Sequence, residues 1–458
     1  MRIKLGIPMT LEEIAGASKG ALKYSNKAII THISTDSREL FQGDLFIALK
    51  GKNFDGTSYV EEAKNNNCYV LSSREDKSDI FHPDTSRALL NLASDYAKNL
   101  PYLLYKIGIT GSVGKTTTKE FAKILLSNSF ITHASEGNFN NGIGMSLSVL
   151  KAPKNTEILL MEMGMNSPGE IAKLSESLRP DIALITNIGT AHIGRLGSRE
   201  KIAEAKLEIL CGMVEGTLIV PKDEKLLSGI AGSECFSISD PIADYYLKSE
   251  KNDNVSIYKN RRKYCDGIFM LSGDQYKKCL IAAVSLAIKI GVSSDRLSQR
   301  LALISNDNIR QNIFYAKNYC FYEDCYNASR ESMIAAIESF ANDTTDGKKS
   351  LVLGDVLELG EMENKIHFEI GNHIPSDKIH NLFLFGKAVE NIGKGAISKG
   401  FPARRIFVNS DLSRPDITAE QIGAICSPGE HILFKASRGV RLERVIDYFT
   451  ENEKGEPT

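Results

Sequence analysis

The chain has 458 residues, and at about 150 residues per domain this length calls for roughly three domains. Lysine plus arginine number 56 against 57 for aspartate plus glutamate, a formal charge of -1, so no overall basic field draws the chain to nucleic acid or to an anionic membrane. Hydrophobic residues at 42%, charged residues at 25%, 36 Gly and 13 Pro are values of a globular chain, which excludes wholesale disorder and collagen-like or coiled-coil architecture.

The eight cysteines contain no Cys-x-x-Cys pair, so neither a zinc ribbon nor a dithiol redox site is indicated, and most of them read as small buried residues of a reducing cytoplasm. Met1-Arg-Ile-Lys-Leu-Gly-Ile-Pro8 meets charge and proline before an apolar core of signal-peptide length forms. The most apolar helical stretch, near Leu280 to Ile290, is about half a membrane span. A cytoplasmic protein with no membrane anchor is expected.

In chain order, Gly43 to Leu49 reads as a strand, Tyr59 to Asn65 as a helix and Cys68 to Leu71 as a strand, a small α/β unit. Pro83 and the capping candidates Asp84 and Thr85 mark a boundary and open a helix from about Arg87 to Leu100, closed by Pro101. From Leu103 strands alternate with helices: strand 103–109, helix 115–128, strand 157–161, helix 169–178, strand 182–187 and helix 198–213. This order predicts a mostly parallel sheet covered on both faces. Residues 230–275 look less regular. Beyond about residue 312 a second series begins, with strands near Cys320, Ser350, Leu382, Ile406 and His431. The expectation is an α/β chain of three domains: 1–83, a small α/β unit; 84–312, a central phosphate-loop sheet; and 313–458, Rossmann-like. No repeat of 20 to 50 residues is visible, and the polar tail from Glu451 is expected to fray.

Strand 103–109 runs into Thr110-Gly-Ser-Val-Gly-Lys-Thr-Thr-Thr-Lys119 and then a helix. In that context Gly111 and Gly114 let backbone amides curl around phosphate oxygens at a helix N-terminus, Lys115 adds a cation, and Thr116 offers a hydroxyl for magnesium. The general pattern wants Gly at position 109, where this chain has Ile. A GTPase would also need an Asn-Lys-x-Asp guanine reader in the same domain, and none occurs.

Strand 157–161 delivers Glu162 to its carboxyl end, where open α/β sheets place ligands, as a magnesium-organising carboxylate is presented. The following strand leads through Asn187-Ile-Gly-Thr-Ala-His192, so two adjacent strands are expected to bring Glu162 and His192 to one phosphate loop. On the next helix Ile202, Ile209 and Met213 form an apolar stripe, and Lys201, Glu204 and Glu208 face the other way. Lys206 falls inside the stripe. Either it snorkels to a carboxylate, or desolvation leaves a neutral amine that carbon dioxide can carbamylate into an anionic metal ligand.

These motifs, in order with Asn138-Phe-Asn-Asn-Gly-Ile-Gly144, Glu162-Met-Gly-Met-Asn-Ser-Pro-Gly-Glu-Ile171, Ala191-His-Ile193 and Ala205-Lys-Leu-Glu-Ile209, resemble the Mur ligases. Thr35-Asp-Ser-Arg38 with Gly43-Asp-Leu-Phe46 resembles the family's N-terminal uridine-nucleotide domain. Asp324-Cys-Tyr-Asn-Ala328, Leu353-Gly-Asp-Val-Leu-Glu-Leu-Gly-Glu361 and Lys435-Ala-Ser-Arg438 resemble its C-terminal domain. Within the family the resemblance is to the branch that joins D-alanyl-D-alanine to a UDP-N-acetylmuramoyl-tripeptide.

The resemblance implies a cytoplasmic, monomeric ATP- and Mg²⁺-dependent ligase of peptidoglycan precursors, acting through an acyl phosphate. By position, Gly111, Ser112, Val113, Gly114, Lys115, Thr116 and Thr117 would hold the triphosphate, with Arg310, Asp324 and Asn327 reaching the nucleotide. Thr116 and Glu162 would hold one Mg²⁺, and His192 and carbamylated Lys206 a second; Lys115, His192 and Lys206 would be catalytic. Ser37 and Arg38 would meet the UDP end, Asn138 and Asn141 the peptide or phosphates, and Lys435, Ser437 and Arg438 a carboxylate or phosphate. The chain departs from the family pattern at Asn327-Ala-Ser-Arg-Glu-Ser332, where Asn-Ala-Asn-Pro-Asp-Ser is usual, at Ile309 before Arg310, and at Ala436. Alternatives are the ligase that adds the third stem-peptide residue, whose Asp-Asn-Pro-Arg reader is matched only by Asp307-Asn-Ile-Arg310 at the domain junction, a folylpolyglutamate synthase, and a regulatory homologue without catalysis.

Overall fold

A computed structural model of the chain describes residues 1–51, 54–271, 273–305, 312–343 and 345–450. Its architecture is three α/β units, each built on its own sheet. The first sheet runs Arg2–Thr10, Ile29–Ser34, Leu45–Ile47, Tyr69–Ser72, Ile80–Phe81, Ala21–Leu22, parallel in the middle and antiparallel at both ends. The long opening strand, absent from the sequence reading, alternates only partly between buried and exposed side chains, so its period-2 signal is weak.

Asp84 caps the helix Thr85–Lys98 by accepting from the Arg87 amide at 2.9 Å. This helix packs on Leu11–Ser18 of the first unit and on Gly142–Leu150 of the second, which seats the first sheet against the central one.

The central sheet has nine strands in the order Arg262–Ile268, Asn254–Lys259, Tyr245–Ser249, Glu234–Ser237, Thr217–Pro221, Ile182–Ile185, Tyr105–Thr110, Ile158–Glu162, Thr132–Ala134. Its last seven members are parallel and the first two turn antiparallel. Two expectations are corrected here. Strands Ile158–Glu162 and Ile182–Ile185 are not adjacent; the phosphate-loop strand lies between them, with Ile109 opposite Glu162 and Thr110 opposite Ile185. Glu162 and the chain leading to His192 therefore reach the loop from opposite sides. Residues 230–275 also contain four strands: the last hairpin turns at Asn260-Arg261, both with positive φ, and Asn-Arg signals such a turn far more weakly than Asn-Gly.

The third sheet runs Asn312–Ala316, Tyr319–Asp324, His431–Lys435, Lys349–Gly354, Asn381–Phe385, Ile406–Asn409, parallel except for its first strand. Strands Leu351–Leu353, Leu382–Phe385 and Ile432–Phe434 are buried throughout, as a sheet covered by helices on both faces requires. No helix among the described residues is long and apolar enough to cross a membrane.

Candidate functional site

The buried strand Tyr105–Thr110 ends where the chain bends at Gly111, and the helix Lys115–Leu126 starts behind Gly114, whose φ of 81° is left-handed. Ile109 stands where the general pattern has glycine because the strand continues through it, fully buried. The bend begins two residues later, at Gly111. Gly111 has φ of 146°, and a methyl there would stand 1.9 Å from Thr186 Oγ1, so only glycine fits. The loop's shape is held from the neighbouring strand: the amides of Ser112 and Val113 donate to Asn187 Oδ1 at 3.0 and 2.9 Å, and Thr186 Oγ1 donates to the Val113 carbonyl at 2.6 Å. The Gly189 amide donates to Ser112 Oγ at 2.9 Å. Lys115 Nζ donates to the Gly111 carbonyl at 2.8 Å.

The loop opens on a cavity of about 460 Å³ between the central and third units. On one side stands Glu162, 1% exposed, which accepts from Thr116 Oγ1 at 2.6 Å and from Asn140 Nδ2 at 2.8 Å. A hydroxyl and an amide thus fix both carboxylate oxygens. Asn138 lines the cavity as well; Asn141 lines it while capping Gly142–Leu150, its Oδ1 accepting from the Gly144 amide at 2.8 Å.

On the other side, Lys206 is 2% exposed on the short helix Arg199–Leu207, and its amine faces the cavity without a hydrogen-bond or ion-pair partner among the described residues. The snorkelling alternative is thereby set aside. Burial, reinforced by the charge of Lys115, holds its pKa well below the ordinary lysine value. His192 sits at φ of 65°, before the short helix Ile193–Leu196. Burial pulls its imidazole below the usual histidine value, against the opposing pull of Glu358, whose Oε2 lies 2.7 Å from Nδ1. Glu358 comes from the third unit and also accepts from Arg195 at 2.6 Å.

The third unit closes the cavity with Asp324, Asn327 and Lys435. Lys435 lies nearly buried with its Nζ 2.5 Å from Asp324 Oδ2, so its charge is already engaged. Ser437 and Arg438 do not line the cavity. Ser437 Oγ accepts from the Leu357 amide at 3.0 Å, steadying the segment that carries Glu358, and Arg438 pairs with Glu443 at 3.1 Å. In the first unit Ser37 is buried, whereas the Arg38 side chain is 85% exposed and paired with Asp36 at 2.6 Å; neither is part of this cavity. Arg310, with Asp307 to Ile309, lies outside the described residues.

The departures at 329–331 have structural work. Ser329 caps the helix Arg330–Asn342, Arg330 pairs with Glu369 at 2.5 Å, and Glu331 accepts from both the amide and the hydroxyl of Thr190 at 3.1 Å. Ala436 is fully buried. A second cavity, of about 710 Å³, lies behind the loop between Asn187, Asp223, Gln275 and Glu331. The sequence reading missed Asn140, Asn187 and Glu358. All three lie inside motifs it had quoted, but their partners are distant in sequence: Glu358 is 166 residues from His192.

Three family models match in succession: "Mur ligase family, catalytic domain" over 29–103, "Mur ligase middle domain" over 109–277, and "Mur ligase, glutamate ligase domain" over 310–438. The UDP-N-acetylmuramoyl-tripeptide–D-alanyl-D-alanine ligase of Bacillus subtilis is 37% identical over 459 residues, covering 97% of this chain and 99% of that protein. The Escherichia coli enzyme of the same name is 28% identical over 465 residues, covering 97% and 99%. Among solved structures, MurF from Acinetobacter baumannii superposes with a TM-score of 0.86 at 27% identity, covering 98% of this chain and 100% of that one. MurF ligase from Thermotoga maritima in complex with ADP gives 0.78 at 28% identity, covering 93% and 98%. On its sequence, its three α/β units and the cavity between the second and third of them, the chain belongs to the Mur ligase family.

Proposed function

We propose that this chain is an ATP-dependent ligase of peptidoglycan precursor synthesis, joining D-alanyl-D-alanine to UDP-N-acetylmuramoyl-tripeptide. One observation carries the reading: a phosphate loop, a fixed carboxylate, a histidine and a buried lysine without a partner among the described residues line a single cavity, in a chain 37% identical over 97% of its length to a curated ligase of that name. That clustering also favours an active enzyme over a regulatory homologue.

In the first step the tripeptide's terminal carboxylate attacks the γ-phosphorus of ATP; the bond to the β,γ-bridging oxygen breaks, giving an acyl phosphate and ADP. In the second, the dipeptide amine attacks the acyl carbon, loses a proton, and phosphate leaves. Lys115 and the amides at the start of the helix Lys115–Leu126 stabilise charge on the transferring phosphoryl group, the Ser112 and Val113 amides being held by Asn187. Asp324, Asn327 and Lys435 wall the cavity from the third domain, keeping water from an intermediate that would otherwise hydrolyse.

The donor set fits Mg²⁺. No cluster of three acidic, histidine or cysteine ligands exists among the described residues, and magnesium does not need one, since it is commonly held by one or two carboxylates together with substrate phosphates. Thr116 and Glu162 would hold one ion. His192, with Nε2 left over once Nδ1 meets Glu358, would hold a second with Lys206 as its carbamate, formed when the neutral amine adds to carbon dioxide and releases a proton. Bound Mg²⁺ supplies neutralisation of phosphate charge in the transition state.

Ser37 and Arg38 take the UDP end, Asn138 and Asn141 the peptide or phosphates, while Ser437 steadies the segment that carries Glu358 and Arg438 pairs with Glu443. The proposed domain limits of 1–83, 84–312 and 313–458 are supported by the Asp84 cap and lie within one residue of the start of the third sheet at Asn312. A monomer in the cytoplasm suits soluble nucleotide substrates and eight unpaired cysteines. Incubating the purified chain with ATP, UDP-muramoyl-tripeptide and D-Ala-D-Ala tests the reading: a product heavier by one dipeptide less water supports it, and no ligation with any muramoyl peptide overturns it.

A further inference from the structure

Four residues after Lys115, on the same helix, Lys119 is 0% exposed, which is exceptional for a lysine. Its Nζ has three N–H groups and three acceptors: the Ser135 carbonyl, the Gly137 carbonyl at 3.4 Å and Glu120 Oε1 at 3.1 Å. Two of these belong to the segment 135–141, which connects the strand Thr132–Ala134 to the helix Gly142–Leu150 and carries Asn138, Asn140 and Asn141 into the cavity. The segment continues to the carboxylate. Ser135 Oγ accepts from the Glu162 amide at 3.1 Å, Asn140 Nδ2 donates to Glu162 Oε1 at 2.8 Å, and the Asn140 carbonyl accepts from the Gly164 amide at 2.7 Å.

We propose that Lys119 is a positioning residue for the acceptor side of the cavity: it ties segment 135–141 to the phosphate helix, and so sets Asn138, Asn140 and Glu162 at a fixed distance from Lys115. A buried cation used only for stability would be a poor choice, because an apolar residue of similar length fills the same space without desolvation cost. A rigid tie between the helix that holds phosphate and the loop that faces the second reactant is what an in-line transfer needs. The phosphate loop has its own independent brace, Thr186 and Asn187, from the opposite strand.

The proposal rests on the ligase reading above, and its test separates the two. In the full chain, Lys119→Met is expected to raise the KM for UDP-muramoyl-tripeptide at least tenfold, to leave ADP affinity within twofold, and to speed hydrogen exchange at residues 135–141 while exchange at 111–116 is unchanged. Should Lys119→Met not fold, Ser135→Ala, which keeps the Lys119 contact to the Ser135 carbonyl but cuts the next link in the same chain of contacts, from segment 135–141 to the Glu162 amide, is expected to raise that KM at least threefold with ADP affinity unchanged. Wild-type KM in the folded Lys119→Met chain, or in Ser135→Ala where that variant decides, overturns the positioning role, as does an equal loss of nucleotide and tripeptide binding. A wild-type chain that ligates nothing overturns the ligase reading instead.

Discussion

Replacing Lys206 by methionine should make the protein more stable and nearly inactive at once. The folded state keeps the Lys206 amine away from water with no acidic partner among the described residues, whereas the unfolded chain protonates it freely at neutral pH. Its folded pKa is depressed, so between that value and the ordinary 10.5 the unfolded state binds one more proton than the folded state. Stability must therefore rise with pH through that window, by up to ~1.4 kcal/mol per pH unit from this one group, and the penalty is largest at or below the folded pKa. Methionine fills nearly the same volume without the amine and removes this slope. For a domain of about 200 residues the corresponding advantage of Lys206→Met over wild type shrinks by about 3–6 °C in Tm for each pH unit gained. Thermal unfolding of both chains in bicarbonate-free buffer, from about pH 7 to about pH 9, reads this directly, with ligation assayed in parallel and expected to fall at least ~100-fold. A Tm difference that does not change with pH, or a methionine variant that is less stable at neutral pH, would refute the reasoning. Lys206→Ala should regain part of its activity when short-chain carboxylates are supplied; no regain would count against the carbamate.

Glu162→Gln keeps the shape that Thr116 and Asn140 hold but removes the charge, and turnover should drop at least ~100-fold with the circular dichroism spectrum unchanged. A methyl at Gly194 would stand 2.6 Å from the Glu358 carbonyl and the Gly360 amide, both backbone, so Gly194→Ala should push the third domain off the central one. Overpacking of about 1–3 kcal/mol predicts a roughly tenfold or greater loss of kcat with ADP still bound, measurable by calorimetry beside steady-state kinetics. Glu358→Gln tests a different part of that junction. The His192, Arg195 and Glu358 side chains are about a quarter to a half exposed, so their pairing should contribute less than ~1 kcal/mol to stability. The same substitution should cost ~10–100-fold in apparent Mg²⁺ affinity, because Glu358 orients the His192 ring.

What the sequence disclosed and what it hid divide along physical lines. The strand, glycine loop and helix from Tyr105 to Leu126 were readable because their signals are local: an apolar run, two glycines, then helical periodicity. Lys206 stood out because a charge in an apolar helical stripe breaks a local rule, and it proved to be buried without a partner among the described residues. Strand order was not local, and Glu162 and His192 turned out to approach from opposite sides of the loop strand. Pairing across domains was equally hidden. Nothing near Lys435 announces Asp324, 111 residues away, and nothing near Thr190 announces Glu331, 141 residues away. Arg38 could be read as a ligand from its motif, but its partner two residues earlier, Asp36, could be known only from geometry.

If one cavity couples ATP cleavage to capture of D-Ala-D-Ala by a muramoyl-tripeptide, the two must proceed one for one. Mass spectrometry of the reaction products, with ADP release counted in the same tube, tests it most directly. One ADP, one phosphate and one dipeptide-extended nucleotide are expected per turnover, and almost no ADP when either D-Ala-D-Ala or the tripeptide is left out. Steady ATP hydrolysis that needs neither, or a tripeptide left unextended with all three substrates present, would contradict it.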